Sequence, residues 1–374
     1  MDGGALKAAR RTWLGVAVAA LVLAALAAVP KLSVDTHGVF SSELNSPGTL
    51  GLLSLMLVFG GVALTYDLLF GFTGLLSFGH ALYFALGVYL TAVAMTRWDW
   101  SLPAALAFTA VAGLVVPLVL GSISLRVGGI AFAMVTLAFA EAGSIIVDGN
   151  PRGWTGAEEG TQLDFEKLPS AFVGVVNADN LYWLALAYVV VVFVVVNWVV
   201  DSSPGRVLQA IRENEPRVEV LGLQPFRFKL LAFVLSSFLA TAGGVVYVLV
   251  QQTATPSVTT PSFTLSLLLM VVIGGAGTRW GAILGGAVYT FLDNRLLDWT
   301  DTRAVQDLPS VLRTPLSEPL FVLGTLFILL VYFLPGGLAG LAMLRRRGQL
   351  AALDALVAVE ERPGALAPES EART

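Results

Sequence analysis

The chain of 374 residues contains no cysteine, which excludes disulfides, thiolate metal sites and cysteine nucleophiles. Charge is sparse as well, with Asp, Glu, Lys and Arg making up 13% of the sequence. Lysine stands only at Lys7, Lys31, Lys167 and Lys229, and none of these follows a glycine. The chain therefore lacks the G-x-x-x-x-G-K-[ST] loop that cradles nucleotide phosphates, so any ATP hydrolysis takes place elsewhere. No metal and no cofactor is expected on this chain, and its net charge of -4 offers nothing to a nucleic acid.

What fills the sequence instead is apolar. Hydrophobic residues make up 56% of the chain and mean hydropathy is +0.79, more apolar sequence than a soluble core absorbs. Ten runs read as spans: Trp13 to Val29, Leu50 to Tyr66, Leu76 to Thr96, Leu102 to Leu125, Ile130 to Val147, Leu181 to Val200, Leu230 to Val250, Phe263 to Ile273, Trp280 to Leu297 and Pro319 to Leu334. The fold class is an all-α integral membrane protein, a polytopic bundle of about ten transmembrane helices. Several runs fall short of the ~20 residues a perpendicular span needs, so these helices have soft ends or are broken.

Basic residues orient the bundle. With a cytoplasmic amino terminus, 13 Lys and Arg fall inside, from Lys7, Arg10 and Arg11 through Arg126, Arg212 and Arg279 to Arg345–Arg347, against 7 outside. That is the positive-inside bias, and it puts both termini in the cytoplasm of a multi-pass protein of the cell (cytoplasmic or inner) membrane. The first run reads as an anchor, because no polar cleavage region follows Val29. The expected organisation is a cytoplasmic segment (1–11), a membrane domain (12–344) with an outer loop at 148–180 and an inner polar loop at 201–229, and a basic stop at 345–347 leading a disordered tail to 374. The outer loop carries Asp148, Glu158, Glu159, Asp164, Glu166 and Asp179, either a solvated surface or a match for a basic patch on a partner.

Nine of the 29 residues from Asp201 to Lys229 are charged. Such an island between apolar runs is either a docking surface or an ordinary solvated loop. Ser203 with Pro204 starts a helix, Asn214 and Glu215 before Pro216 start a second, and Gly222 supplies the stop. The order Ala210-x-Arg212-Glu213-Asn214-Glu215 then Leu221-Gly222-Leu223, followed by Phe228-Lys229-Leu230-Leu231-Ala232-Phe233, resembles the cytoplasmic coupling loop of permease subunits in ABC importers for branched-chain amino acids. In that family the loop presents a short helix to a groove on an ATPase. The resemblance implies coupling roles for Arg206, Ala210, Arg212, Glu213, Glu215, Glu219 and Gly222.

A second motif, Gly71-Phe72-Thr73-Gly74-Leu75-Leu76-Ser77-Phe78-Gly79-His80-Ala81 with Phe84, Gly87 and Tyr89 beyond it, is similar to the M-type subunit of the same family. Small and hydroxylated residues at this spacing permit an unwound or tightly packed helix start. Gly71, Gly74 and Gly79 are expected to serve packing. His80 is an ionisable group at membrane depth, which faces a bundle interior or a wet cavity; it either bonds a neighbouring helix as a neutral ring or contacts cargo. Thr73 and Ser77 either bond their own backbone carbonyls or share the path with His80.

Arg126 to Glu141 resembles a third family segment with one extra glycine, and contributes Thr136 and Glu141 as polar points in an apolar helix, Glu141 read as an interior residue or one near the outer interface. Met270 to Gly285 is similar to the family's V-x-G-G-x-G-x-x-W-G-x-x-x-G, with Gly277, Gly281 and Gly285 repeating every four residues as one packing face. The likeness runs in consistent order from about Leu50 to Gly340; it departs in the outer loop, where Gly153 to Gly160 replaces a glycine-rich segment. A short likeness also links Gly71–Gly79 to Gly274–Gly281.

The resemblance implies a non-catalytic permease working with two ABC ATPase subunits, a homologous second permease subunit, an extracytoplasmic binding protein and the lipid bilayer. The cargo would be branched-chain or other apolar amino acids, with Thr73, Ser77, His80, Thr136 and Glu141 as candidates for the path. Related permeases carry urea and short amides. An ion-coupled secondary transporter or channel would show buried acids in several helices, whereas deep acids here are few, Asp67 and Glu141. A Ser77–His80 protease fails because the two residues lie three apart on one expected helix.

Overall fold

The computed structural model describes residues 20–35, 43–174, 177–300, 319–333 and 336–340. The expected segment 1–11, the first part of the run at Trp13 and the tail 345–374 lie outside the described residues. Within them the chain is helical: α1 (Ala20–Lys31), α2 (Pro47–Asp67), α3 (His80–Thr96), α4 (Leu102–Ser124), α5 (Gly129–Asp148), α6 (Ala178–Asp201), α7 (Ser203–Val220), α8 (Pro225–Gln251), α9 (Pro261–Gly274), α10 (Gly281–Thr300) and α11 (Pro319–Phe333). Proline in the first turn opens α2, α4, α7, α8 and α9, where its missing N–H is not needed and its φ is already helical. Each apolar run holds a helix in its described part, although the run from Leu76 is not helical before His80. Among the described residues, five helices are long and apolar enough to cross a membrane: α2 with its extension to Phe72, α4, α5, α6 and α8.

Helices α3 and α9 are shorter, at 17 and 14 residues, or roughly 26 and 21 Å at 1.5 Å per residue. Each is joined to its neighbour through a break. Helix α2 ends in a π-turn, Leu68–Phe72, and residues 73–79 run unwound before α3 begins. Helix α9 ends at Gly274, and residues 275–280 form the turn into α10. The span expected from Leu76 therefore starts at His80, and Ser77 is not helical; Ser77 and His80 do not share a helix.

The two most buried spans are α2 and α8. Helix α2 packs against α6, α8, α9 and α10, and α8 packs against α2, α3 and α4. At the α3–α8 crossing a Cβ on Gly87 would stand 2.0 Å from the Thr241 carbonyl oxygen, and one on Gly244 would stand 2.0 Å from that of Phe84. Only glycine permits backbones this close. Helix α1 leans on α6, where Tyr182 Oη donates to the Leu26 carbonyl at 2.9 Å. Helices α4 and α5 form the periphery, with Val111, Leu114, Val115, Leu118, Ile130, Met134 and Ile145 exposed.

The two ends of the bundle differ in chemistry. At one end the island meets the α9–α10 turn and the start of α8. At the other, Trp98, Trp100, Phe108 and Trp154 form an aromatic cluster, of the kind found at membrane–water interfaces. There the outer loop adds a two-residue strand β1 (Thr161–Gln162), antiparallel to β2 (Thr253–Ala254) after α8. Lys167 donates to Asp99 and pairs with Asp164 at 3.2 Å; the hydrogen bond to Asp99 foremost, with Asp164 adding to it, raises the Lys167 ammonium above its ordinary range.

Candidate functional site: the charged island and the helix breaks

Helix α7 is two helices in one. Asn214 leaves helical geometry at φ -161° and ψ 97°, and its Oδ1 accepts from the Arg217 amide at 3.0 Å. It caps the second piece, as a side-chain acceptor at an N-cap does. The first piece is capped by Ser202, whose Oγ accepts from the Gly205 amide at 3.2 Å, one residue before the expected Ser203. Gly222 ends the second piece at φ 82°, its amide donating to the Glu219 carbonyl and that of Leu223 to Val218. This is a left-handed helix stop.

Gly205, Leu208, Ile211 and Val218 face inward. Arg206, Ala210, Arg212, Glu213, Glu219 and Gly222 are exposed and Glu215 is half-buried, so the island shows its charged set to the outside. Beside these lie Val220 and Leu221, exposed at 87% and 74%, with Leu223 and Phe226 next to them. A groove of about 500 Å³ runs between Leu125, Glu215, Glu219, Leu223, Phe226 and Lys229.

Three basic side chains brace the island. Arg279, in the α9–α10 turn, bonds both carboxylate oxygens of Asp201 and reaches Asn197 Oδ1 at 2.8 Å. Lys229, in the first turns of α8, pairs with Glu215 at 2.5 Å. Arg212 Nη1 donates to the carbonyl of Gly71 in the α2 π-turn. Two more carbonyls at this helix end are met locally, Leu68 by Thr73 Oγ1 at 2.8 Å and Leu69 by the Leu75 amide at 2.8 Å. An unwound stretch at membrane depth needs such partners.

The residues of the second motif surround this break. Thr73, Ser77, His80 and Thr136 are buried. Thr136 on α5 accepts from the Phe78 amide at 3.1 Å, and a Cβ on Gly79 would stand 2.8 Å from the Thr136 carbonyl oxygen. Thr264 on α9 accepts from the Ala81 amide at 3.0 Å, satisfying an orphan donor of the first turn of α3. His80 Nε2 lies 2.9 Å from Thr65 Oγ1, which donates to the Val62 carbonyl at 2.7 Å. With the hydroxyl proton given to the Val62 carbonyl, Nε2–H is assigned as the donor to Thr65 Oγ1. The ring edge meets Tyr66 with centroids 5.2 Å apart, and Nδ1 has no partner among the described residues.

Asp67, one of the few deep acids, is fully buried, its Oδ1 accepting from the Gly277 amide at 2.8 Å. Three expectations change. Glu141 is not interior but exposed, on the same face of α5 as Met134 and Ile145. Gly277 is outside α10, in the turn, while Gly281 and Gly285 do pack: a Cβ on Gly281 would stand 2.5 Å from the Gly274 oxygen, and one on Gly285 would stand 1.9 Å from that of Met270. Gly71 and Gly74 serve the break itself, facing Asp67 and Arg212.

Sequence reasoning did not single out Thr65, Thr264, Val220 and Leu221, nor the junction of Asp67 with Gly277. Asp67 did carry a signal, as the lone acid ending an apolar run just before the glycine motif. At the far end, a cavity of about 330 Å³ between α3, α5 and the outer loop is lined mostly by apolar side chains, among them Leu82, Leu86, Tyr89, Leu90, Ile146 and Trp154.

With this geometry in place, the comparisons with known proteins agree. Residues 48–331 match the family described as branched-chain amino acid transport system / permease component. The chain is similar to the high-affinity branched-chain amino acid transport system permease protein LivM of Escherichia coli, 27% identical over 318 residues, 78% of this chain and 70% of that protein. It is also similar to the ribose import permease protein RbsC of Haemophilus influenzae, 26% identical over 32% of this chain and 42% of that one. A third relative is the autoinducer 2 import system permease protein LsrC of Klebsiella pneumoniae, 30% identical over 38% of this chain and 42% of that one. No solved structure matches. The chain belongs to the branched-chain amino acid transport system permease family and is a membrane permease subunit of an ABC importer.

Proposed function

We propose that this permease forms, with a homologous second permease subunit, the translocation path of an ATP-driven importer for branched-chain or other apolar amino acids, delivered by an extracytoplasmic binding protein. About ten spans cross the cell membrane with both termini in the cytoplasm. Two ATPase subunits hydrolyse the ATP and engage the island, α7, through Arg206, Ala210, Arg212, Glu213, Glu215, Glu219 and Gly222.

One observation carries this reading: an exposed, two-part helix lies outside the apolar bundle yet is bonded through Arg212 to the break in α2. A solvated loop has no reason to hold a transmembrane helix by its weakest point. Arg212 gives movement imposed on α7 a direct route to the break in α2. Buried Thr73, Ser77, His80 and Thr136 gather where that movement arrives, and Glu141 stands on the exposed face of α5; these five remain the candidates for the path.

Apolar cargo is supported by the similarity to LivM and by the apolar cavity between α3 and α5. The test is uptake of labelled leucine into vesicles holding this chain, its partner permease, both ATPases and the binding protein, with ribose, urea and a short amide in parallel. ATP-dependent leucine uptake is expected. Uptake of another solute alone would overturn the cargo, and uptake indifferent to ATP would overturn the importer reading.

A further inference from the structure

Asp67 stands in an unfavourable place. It sits in the last turn of α2, where the helix dipole opposes a negative charge, and it is fully buried. Its Oδ1 is held by the Gly277 amide at 2.8 Å, but Oδ2 has no partner among the described residues. A buried carboxylate satisfied on one oxygen is costly unless a cation or further donors offset it. The cation at hand is Arg212, which acts on Asp67 electrostatically while its Nη1 bonds the carbonyl of Gly71.

Gly71 and Gly277 lie between the carboxylate of Asp67 and the guanidinium of Arg212. A Cβ on Gly71 would stand 1.9 Å from Asp67 Oδ1 and 2.3 Å from the Gly277 nitrogen, and a Cβ on Gly277 would stand 3.0 Å from Arg212 Nη1 and 3.1 Å from the Gly71 oxygen. The first helix break supplies Asp67 and Gly71, the second supplies Gly277, and the island supplies Arg212. Each break has a reason to be glycine at this point, because no side chain fits between the carboxylate, the guanidinium and the two backbones.

We propose that Asp67 is a positioning residue for transport: its Oδ2 is a second seat for the Arg212 guanidinium, and transfer of Arg212 between the Gly71 carbonyl and Asp67 carries movement of α7 to both helix breaks together. A guanidinium has five donors in a fixed fork, so it can keep one acceptor while it turns toward the other. Because Asp67 Oδ1 holds the Gly277 amide, a pull on the carboxylate is also a pull on the α9–α10 turn. Neither oxygen is idle in the cycle. The proposal rests on the reading of α7 as the element the ATPases move.

The test uses the full complex in vesicles and reads leucine carried per ATP hydrolysed, for the wild type, Asp67→Asn, Arg212→Gln and the double variant. Asparagine keeps the shape and the acceptor for Gly277 while removing the charge. Each single variant is expected to lower the ratio about tenfold, the size of an ordinary coupling between two sites. The double variant is expected to be no worse than the poorer single one, since both remove the same interaction.

A ratio unchanged in Asp67→Asn, or losses that multiply in the double variant, would overturn the proposal. Where Asp67→Asn lowers the amount of folded protein, Arg212→Gln decides alone, as its side chain springs from an exposed helix: a wild-type ratio in that variant overturns the idea. Failure of the underlying reading is seen separately, as ATPase subunits that still copurify and respond normally when the outer face of α7 is altered at Val220.

Discussion

Gly74 and Gly277 share one backbone conformation, φ 76° at each, and each turns the chain at a break between two apolar helices. The two breaks meet, since the Gly277 amide bonds Asp67 Oδ1 beside Gly71. In the short likeness between Gly71–Gly79 and Gly274–Gly281, the glycines three residues after Gly71 and Gly274 both have positive φ. Broken helices near the middle of a transporter expose backbone groups that side chains or cargo must meet. Here Arg212, Thr73, Thr136 and Asp67 meet several of them.

These glycines differ in what a methyl group would meet, so alanine substitution ranks them. Gly222→Ala faces open space at φ 82° and Gly74→Ala faces Arg212 Cγ at 3.0 Å at φ 76°; each is expected to cost about 1 kcal/mol of left-handed strain. Gly71→Ala would drive Cβ into the Asp67 carboxylate and the Gly277 backbone, for about 3 kcal/mol. Thermal unfolding of the purified protein should order them with Gly71→Ala last. Equal losses at Gly71 and Gly222 would remove the case for a packed junction.

His80 is expected to brace two helices. Its removal takes away a buried ring and leaves Thr65 Oγ1 without its donor, so His80→Ala should destabilise by about 3 kcal/mol, and Thr65→Val by about 1 kcal/mol. The two losses should not add, because one bond is counted in both. Thermal unfolding of the single and double variants reads this directly. If His80→Ala instead unfolded like the wild type while leucine uptake fell, contact with cargo would be the better account.

Much of this architecture is legible in one dimension. Apolar runs locate the helices, prolines mark their starts, and Asn214 before Glu215-Pro216 marks the division of the island. The misreadings share a cause. Leu75 and Leu76 continue an apolar pattern into α3, but the chain there is unwound by Gly74 and held by bonds to partners far along the sequence, such as Phe78 to Thr136, 58 residues away. Arg279 finds Asp201 across 78 residues, and periodicity carries no signal for that. Exposure of Glu141 could not be read either, since an acid within an apolar helix suits an interior face and an unpartnered outer face equally well.

The outer loop offers a check on the fold that the absence of cysteine makes clean. Gln162 pairs with Thr253 across an antiparallel ladder, where opposed Cα atoms stand about 4.5–5.5 Å apart, within disulfide range. A Gln162→Cys, Thr253→Cys variant should bind two maleimide labels when reduced and none after mild oxidation. Both thiols remaining reactive after oxidation would show that the loop does not close on α8 in this register.

The exposed pair Val220 and Leu221 gives the sharpest test of the docking surface. Apolar side chains this exposed, on a helix whose other outward residues are mostly charged or polar, are the kind of patch that marks an interface. Buried at the centre of a contact, such an anchor is worth about 2 kcal/mol, or roughly 30-fold in affinity. Val220→Asp should therefore weaken capture of the ATPase subunits by about that factor and abolish most uptake, while changing the thermal stability of the chain by no more than about 0.5 kcal/mol, as expected of a surface position. Affinity copurification and thermal unfolding of one preparation separate the two effects. Capture at wild-type strength would move the docking face away from the end of α7, whereas loss of both capture and stability would mean that Val220 packs within the chain.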